Sequence, residues 1–444
     1  MTTGAARHVY RGVVVAFLVA VAVPFVARKS GDWEKVYTAT AARLRAGLDV
    51  YEWNTTSYVY PPFGALVAVP FGLLPPWAGK VAWAAANALA GFVLLRGAWR
   101  LTGGVGLPGD PGAGRADAAA FWLGAAAAAG FILDVAANHQ TDLLVAALVV
   151  YGCELLVRGR PVAAGALYGL AAALKCTPLL FAPYLLWKRQ WRGAAAVVVV
   201  AVGANVLPDL AYPPADGQPR LAVWVRTLLA PITGKDFDPG MWASAPGFNH
   251  SLSGALNRWL TWDRVTGDGW SAAVPKADRP DTAALKRVVY GAQLGLLLFA
   301  AAAVWRPVVL VGRPPDATAA EFGMVLTLML LLSPMSSKPH FCTLLLPQLL
   351  LARLAWDRRD RGLIALTLLA AALGLAANKD LVGRRVYDFL LWNGAVFGCC
   401  LALFLGCCRV RWEAGGSGRI LTGGSRPGAY ARVKLPAIRT RGTP

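Results

Sequence analysis

Asp32 stands just beyond the first long apolar stretch of this chain, where a carboxylate could take a proton from a hydroxyl held at a membrane surface. The same position suits a helix cap that complements the helix dipole. Tyr58-Val59-Tyr60-Pro61-Pro62 puts two phenols on one side of an extended segment stiffened by the double proline, as a sugar-stacking or interfacial element would. Asn138-His139-Gln140-Thr141-Asp142 is a run of five polar residues between two apolar stretches. Lys175, ahead of Thr177-Pro178, interrupts the apolar region Ala166–Leu186; a cation there seeks an anion such as phosphate, or snorkels to a headgroup. Asn249 lies in Phe248-Asn249-His250-Ser251-Leu252-Ser253-Gly254, and Arg258 follows with a side chain suited to bidentate contact with phosphate. Ser333-Pro334-Met335-Ser336-Ser337-Lys338-Pro339-His340 brings Lys338 and His340 together, a pairing that could stabilise a departing phosphate.

The elements that must position these residues are apolar and long. Val9–Val26, Val81–Trp99, Ala118–Leu133, Leu143–Val157, Gly193–Leu207, Val288–Trp305, Phe322–Leu332, Leu344–Trp356, Leu363–Ala377 and Phe389–Cys408 approach or reach the ~20 residues that cross a bilayer as helix. With 57% apolar residues and no alternating strand pattern, the expected fold is all-α: a polytopic transmembrane helical bundle of 11 to 13 spans. The first stretch reads as a retained span. Ala and Gly are abundant, as close helix packing requires.

Positive charge sorts the connectors. Arg7 and Arg11, Arg158–Arg160, Lys188–Arg192, Arg306–Arg313, Trp356–Arg361 and the segment from Arg409 group on the inner side. The polar motifs then fall on the outer side, within loops 28–60 and 208–287 and the shorter turns. Pro61–Pro75 resists this count and is either re-entrant or beside a misplaced positive cluster. Beyond Asp32, Trp33, Tyr37, Ala41 and Leu44 share one face of a short amphipathic helix, with Glu34, Lys35, Thr38 and Arg45 on the other. The 208–287 loop is rich in Trp and Pro, as an ordered lid would be. Residues 1–411 form one membrane domain, and 412–444 a basic, disordered inner tail.

The net charge of +20 belongs to short loops and the tail, where it meets membrane lipids; no soluble basic, aromatic segment is present to bind nucleic acid. The seven cysteines have neither CxxC nor metal spacing. A Walker loop, a GxGxxG opening a helix and HExxH are all missing, and no metal or other cofactor is expected.

In order along the chain, Asp32 with Tyr37, Tyr58-x-Tyr60-Pro61-Pro62, Leu73-Leu74-Pro75, Asn138-x-Gln140-x-Asp142, Lys175-x-x-Pro178, Asn249-x-Ser251-Leu252-x-Gly254 and Ser333-Pro334 with His340 resemble glycosyltransferase family 87. These are bacterial polyprenyl-phosphate-mannose-dependent mannosyltransferases. The resemblance implies a GT-C fold in the bacterial inner membrane, multi-pass, with an outward-facing site. It implies metal-independent, inverting transfer of a hexose, mannose above all, from a polyprenyl-phosphate donor to a hydroxyl of a lipid or glycan acceptor. Asp32 matches the family's catalytic aspartate, and His340 the histidine expected near the donor phosphate. Lys175, Arg258 and Lys338 would join it there, with Tyr58, Tyr60, Asn138, Gln140 and Asn249 contacting substrate. Ser336-Ser337-Lys338-Pro339-His340 replaces the family's more usual Ser-Trp-x-His-His segment. A polytopic transporter or lipid flippase, or an inactive relative, are the alternatives. A transporter would place polar residues mid-bilayer, and few charges lie deep in these spans.

Overall fold

The computed structural model describes residues 8, 12 and 16 and then residues 32–416, apart from 53–54, 105, 109–113, 243–244, 266–268, 270–271, 306–309 and 311–314. The expected first span Val9–Val26, Arg7 and Arg11, and residues 417–444 of the expected tail lie outside this set, in whole or nearly so.

The described chain is helical. A single π-helical turn, Trp33–Thr38, leads into α1 (Ala39–Arg45). Then come α2 (Pro62–Gly72), α3 (Pro76–Leu101), α4 (Arg115–Asn138), α5 (Asp142–Val157) and α6 (Pro161–Leu174). A 3-10 turn (Thr177–Leu180) precedes α7 (Phe181–Trp187) and α8 (Trp191–Ala211). The long loop folds into α9 (Arg220–Trp224), a π turn, a 3-10 turn, α10 (Leu252–Thr261) and an antiparallel hairpin pairing Trp262 with Pro275. After it run α11 (Thr282–Ala303), α12 (Pro315–Leu331), a 3-10 helix (Lys338–Leu344), α13 (Leu345–Arg358), α14 (Arg361–Ala376), α15 (Lys379–Val382), α16 (Arg384–Trp392) and α17 (Ala395–Gly416).

Among the described residues, five helices are long and apolar enough to cross a membrane, namely α3, α4, α8, α11 and α17. Shorter apolar helices lie between them. The 11 residues of α2 rise about 16 Å, half of a hydrocarbon layer, so Pro61–Pro75 does not supply a full crossing by itself. α12 is buried from Ala317 to Leu331, the mark of a helix surrounded by others, and it packs against α17 and α13. Close approach of α6 to α8 depends on two glycines a turn apart. A Cβ on Gly165 would run into the Gly193 carbonyl, and one on Gly169 into that of Val197.

Two stretches that read as continuous are broken. Ala166–Leu186 divides at Lys175, whose backbone is extended (φ −149°, ψ 123°); Pro178 has no N–H to bond back to the Leu174 carbonyl, where the helix ends. Phe389–Cys408 divides at Gly394, whose φ of +83° suits glycine and whose missing Cβ leaves room for the Trp259 ring. α17 runs on to Gly416 across the expected boundary at 411.

Candidate active site

The expected amphipathic face forms: Trp33, Tyr37, Ala41 and Leu44 are all buried. They build an aromatic cluster with Tyr58 and Trp83, in which Trp33 stacks on Trp83 with ring centroids 4.3 Å apart. A π turn carries one residue more than an α turn and so shifts the face that follows it. It begins directly after Asp32, which sits half-buried above this cluster.

The turn between α4 and α5 delivers Gln140. His139 closes α4 in the left-handed conformation (φ +57°), and its carbonyl accepts from Trp83 Nε1 at 3.3 Å. Gln140 Nε2 donates to Asp32 Oδ2 at 2.5 Å. Its Oε1 accepts from Tyr37 Oη at 3.1 Å and Tyr60 Oη at 3.1 Å, with Lys175 Nζ at 3.4 Å. Tyr37 and Tyr60 stack with 5° between their planes, and Lys175 Nζ lies 4.7 Å from the Tyr60 ring centroid. Burial, and then the neighbouring Tyr60, hold the Tyr37 phenol well above its ordinary pKa, so it keeps the proton it donates.

Beside Gln140 lies a second layer. Asp142 opens α5, where the helix dipole favours a carboxylate, and its Oδ2 lies 2.7 Å from Lys175 Nζ. Both side chains are 3% exposed. Burial alone would lower the lysine; Asp142, with Tyr60, outweighs it and holds the ammonium above its usual range. His340 Nε2 is 3.9 Å from Asp142 Oδ1, and its Nδ1 is 2.8 Å from Ser337 Oγ. Burial and the adjacent Lys175 push the imidazole down to about 4 against the pull of Asp142, so the ring is neutral near pH 7. Lys338 points to another carboxylate, Asp134 Oδ1 at 3.3 Å, and lies over the Tyr387 ring. Asn138 Nδ2 donates to Asp134 Oδ2 at 3.2 Å.

The structure therefore gathers Asp32, Gln140, Tyr60, Lys175 and His340 into one network through Asp142, with Lys338 and Asn138 joined at Asp134. The other expected residues make their hydrogen bonds elsewhere. Tyr58 spends its hydroxyl on the Pro61 carbonyl at 2.7 Å and shapes the turn into α2. Arg258 is fully buried; it donates to the carbonyls of Trp392 (2.8 Å), Pro246 (3.1 Å) and Asn249 (3.0 Å). Asn249 donates to Gly240 and Pro334 carbonyls and accepts from the Ser251 and Ser336 amides. Asn249 thereby ties the long loop to Pro334 and Ser336, at the base of the segment that carries Lys338 and His340, and Arg258 ties the same loop to Trp392. Asp134 and Tyr387 carry no motif in the sequence, and Asp142 stands in the Asn138-x-Gln140-x-Asp142 motif without an assigned role. The four-residue spacing of Asp134 and Asn138 on one helix face was the available signal for Asp134, and the demand of Lys175 for a counter-ion was the signal for Asp142. Among the described residues, no group of three or more His, Cys, Asp or Glu is placed to hold a metal ion.

The model of glycosyltransferase family 87 matches residues 58–334, more than half of the 444. The chain belongs to this family. It is 29% identical over 258 residues to an alpha-(1->3)-arabinofuranosyltransferase of Mycobacterium tuberculosis (strain ATCC 25618 / H37Rv), covering 52% of this chain and 50% of that protein. The chain thus matches only about half the length of that relative. It is 26% identical over 352 residues to the polyprenol-phosphate-mannose-dependent alpha-(1-2)-phosphatidylinositol mannoside mannosyltransferase of the same strain, covering 76% of this chain and 71% of that one. Among solved structures, ArnT from Cupriavidus metallidurans bound to undecaprenyl phosphate is similar with a TM-score of 0.37 and 16% identity, over 94% of this chain and 79% of ArnT.

Proposed function

We propose that this member of family 87 is a multi-pass GT-C glycosyltransferase. It transfers a hexose, mannose first, from a polyprenyl-phosphate donor to a hydroxyl of a lipid or glycan acceptor on the outer face, with inversion and without a metal. The observation that carries this reading is the setting of Asp32. Among the described residues only the neutral Gln140 amide donates to it, while the cation Lys175 meets the opposite, oxygen end of that amide and His340 lies beside the Asp142 that pairs with Lys175. Direct displacement at an anomeric carbon needs that division: a base on the side of the attacking hydroxyl and positive charge on the side of the leaving phosphate.

Asp32 takes the acceptor proton as the oxygen attacks. The bond to the phosphate breaks, and charge grows on the phosphate oxygen. Lys338, in the more exposed of the two Lys–Asp pairs, turns from Asp134 to that oxygen, while Lys175 stays bound to Asp142 and contributes its field. The neutral His340 ring offers its one N–H to that phosphate as a hydrogen bond and transfers no proton. Arg258 and Asn249 hold the loop beneath.

The relationship to an arabinofuranosyltransferase favours a second reading in which the donor carries a pentofuranose. Membranes containing wild type or Asp32→Asn, incubated with lipid extract and radiolabelled polyprenyl-phosphate mannose or polyprenyl-phosphate arabinofuranose, test both. Transfer from the mannose donor that Asp32→Asn abolishes is expected. Transfer from the arabinose donor alone replaces the sugar and keeps the mechanism, and transfer that survives in Asp32→Asn removes Asp32 as the base.

A further inference from the structure

Gln140 meets more of the site than any ligand-binding role requires. Its side-chain amide touches Asp32 on one side and Tyr37, Tyr60 and Lys175 on the other. The orientation of the amide is fixed by chemistry. An ammonium has only protons to offer, so the oxygen end must face Lys175, and the nitrogen end is left for Asp32. Two phenols, whose rings stack on one another, bond to that same oxygen. A carboxylate is the partner an N–H in that position requires.

We propose that Gln140 is a positioning residue that aims Asp32 at the acceptor hydroxyl and insulates it from Lys175. The inference rests on the reading of Asp32 as the base. One oxygen of Asp32 is held by the amide, and the other, which meets no donor among the described residues, would take the incoming hydroxyl. The insulation matters as much as the aim. A carboxylate in direct contact with an ammonium loses basicity, as Asp142 beside Lys175 illustrates by serving as a counter-ion. A neutral amide between base and cation passes on orientation and withholds charge. This separates Gln140 from a residue that binds sugar: its oxygen is taken by three protein donors, and its nitrogen is directed at the base.

The experiment compares wild type, Asp32→Asn, Gln140→Met and Gln140→Glu, purified in one detergent, with the donor and acceptor that support wild-type transfer. Gln140→Met keeps the length of the side chain and removes both polar ends. It is expected to lower kcat 10- to 100-fold, with the KM for donor and acceptor within threefold of wild type and the thermal midpoint within a few degrees. Gln140→Glu keeps the shape but brings a carboxylate to Asp32 with no proton to donate, and is expected to lose at least as much. A raised KM with kcat kept would make Gln140 a substrate ligand and overturn the proposal. A fall in thermal midpoint with kcat per folded molecule kept would make it structural and do the same, as would Gln140→Glu at wild-type rate. If Asp32→Asn is inactive and both Gln140 variants match wild type, this inference alone fails. If Asp32→Asn is as active as wild type, the reading of Asp32 falls and takes the inference with it.

Discussion

The bundle holds a dense polar network at each end, made of the same kinds of residue. At the end opposite Asp32, Glu321 of α12 is buried with Lys188 Nζ 2.7 Å from Oε2 and Arg411 Nε 2.7 Å from Oε1, and Tyr184 Oη donates to Oε2 at 3.1 Å. Both oxygens are taken, and all three charged side chains are at most 6% exposed. At the other end Asp32 is half-buried with one amide donor among the described residues, and the Lys338–Asp134 pair is longer, at 3.3 Å, and 15% and 21% exposed. Burial of charge is common to the two. What separates them is saturation. The Glu321 network joins α12, the end of α7 and α17 with both oxygens of its carboxylate engaged, whereas among the described residues Asp32 meets a donor at one oxygen only.

Substitutions should divide along that line. The largest effect belongs to Asp32→Asn, which should reduce kcat by about 10³-fold, within the range of a lost general base, and leave the thermal midpoint in place. Glu321→Ala should do the reverse. Removing it strands Lys188 and Arg411, a loss of about 3–5 kcal/mol of stability, read as a lower thermal midpoint and yield, while turnover per folded molecule stays within threefold. Replacing all three by apolar residues of similar volume should recover most of that stability, as a staple allows and a ligand site does not.

Smaller effects sharpen the picture of the open end. Lys338→Met should raise the donor KM about tenfold, the order expected for loss of one charged contact. Asp134→Asn frees the lysine, so it should lower the donor KM by a few fold; an unchanged KM would mean that the pair does not exchange. The smallest effect concerns pH. The His340 pKa of about 4 in the folded protein lies below the ~6.5 of an unfolded imidazole, so the unfolded chain takes the proton first. Stability carried by the neutral ring is therefore full above pH ~6.5 and lost as pH falls towards 4. His340→Gln should flatten that part of a thermal-midpoint profile, and a profile of unchanged slope would show that the ring titrates elsewhere.

Much of the bundle was legible because apolar runs leave a bilayer protein few options, and because Trp33, Tyr37, Ala41 and Leu44 recur at helical spacing. Charge counting grouped Lys188 with the segment from Arg409 before the structure joined Lys188 and Arg411 through Glu321. The break at Gly394 was hidden, although Asn393-Gly394 is a turn signal, because composition on either side is apolar. Within the site, residue types were visible and partners were not. Arg258 has the chemistry of a phosphate ligand, but two backbone carbonyls of its own loop and that of Trp392 accept from it, and no local pattern announces that. Asp142 finds Lys175 across 33 positions and Gln140 finds Asp32 across 108, contacts set by helix packing.

The most direct test of the contrast between the two ends is transferase activity per folded molecule for wild type, Asp32→Asn and Glu321→Ala, each reconstituted in the same lipid and counted by ligand-independent folded fraction. The account predicts a stable, inactive Asp32→Asn and an unstable Glu321→Ala whose surviving molecules turn over at close to the wild-type rate. An active Asp32→Asn, or a Glu321→Ala that is folded and silent, would contradict it.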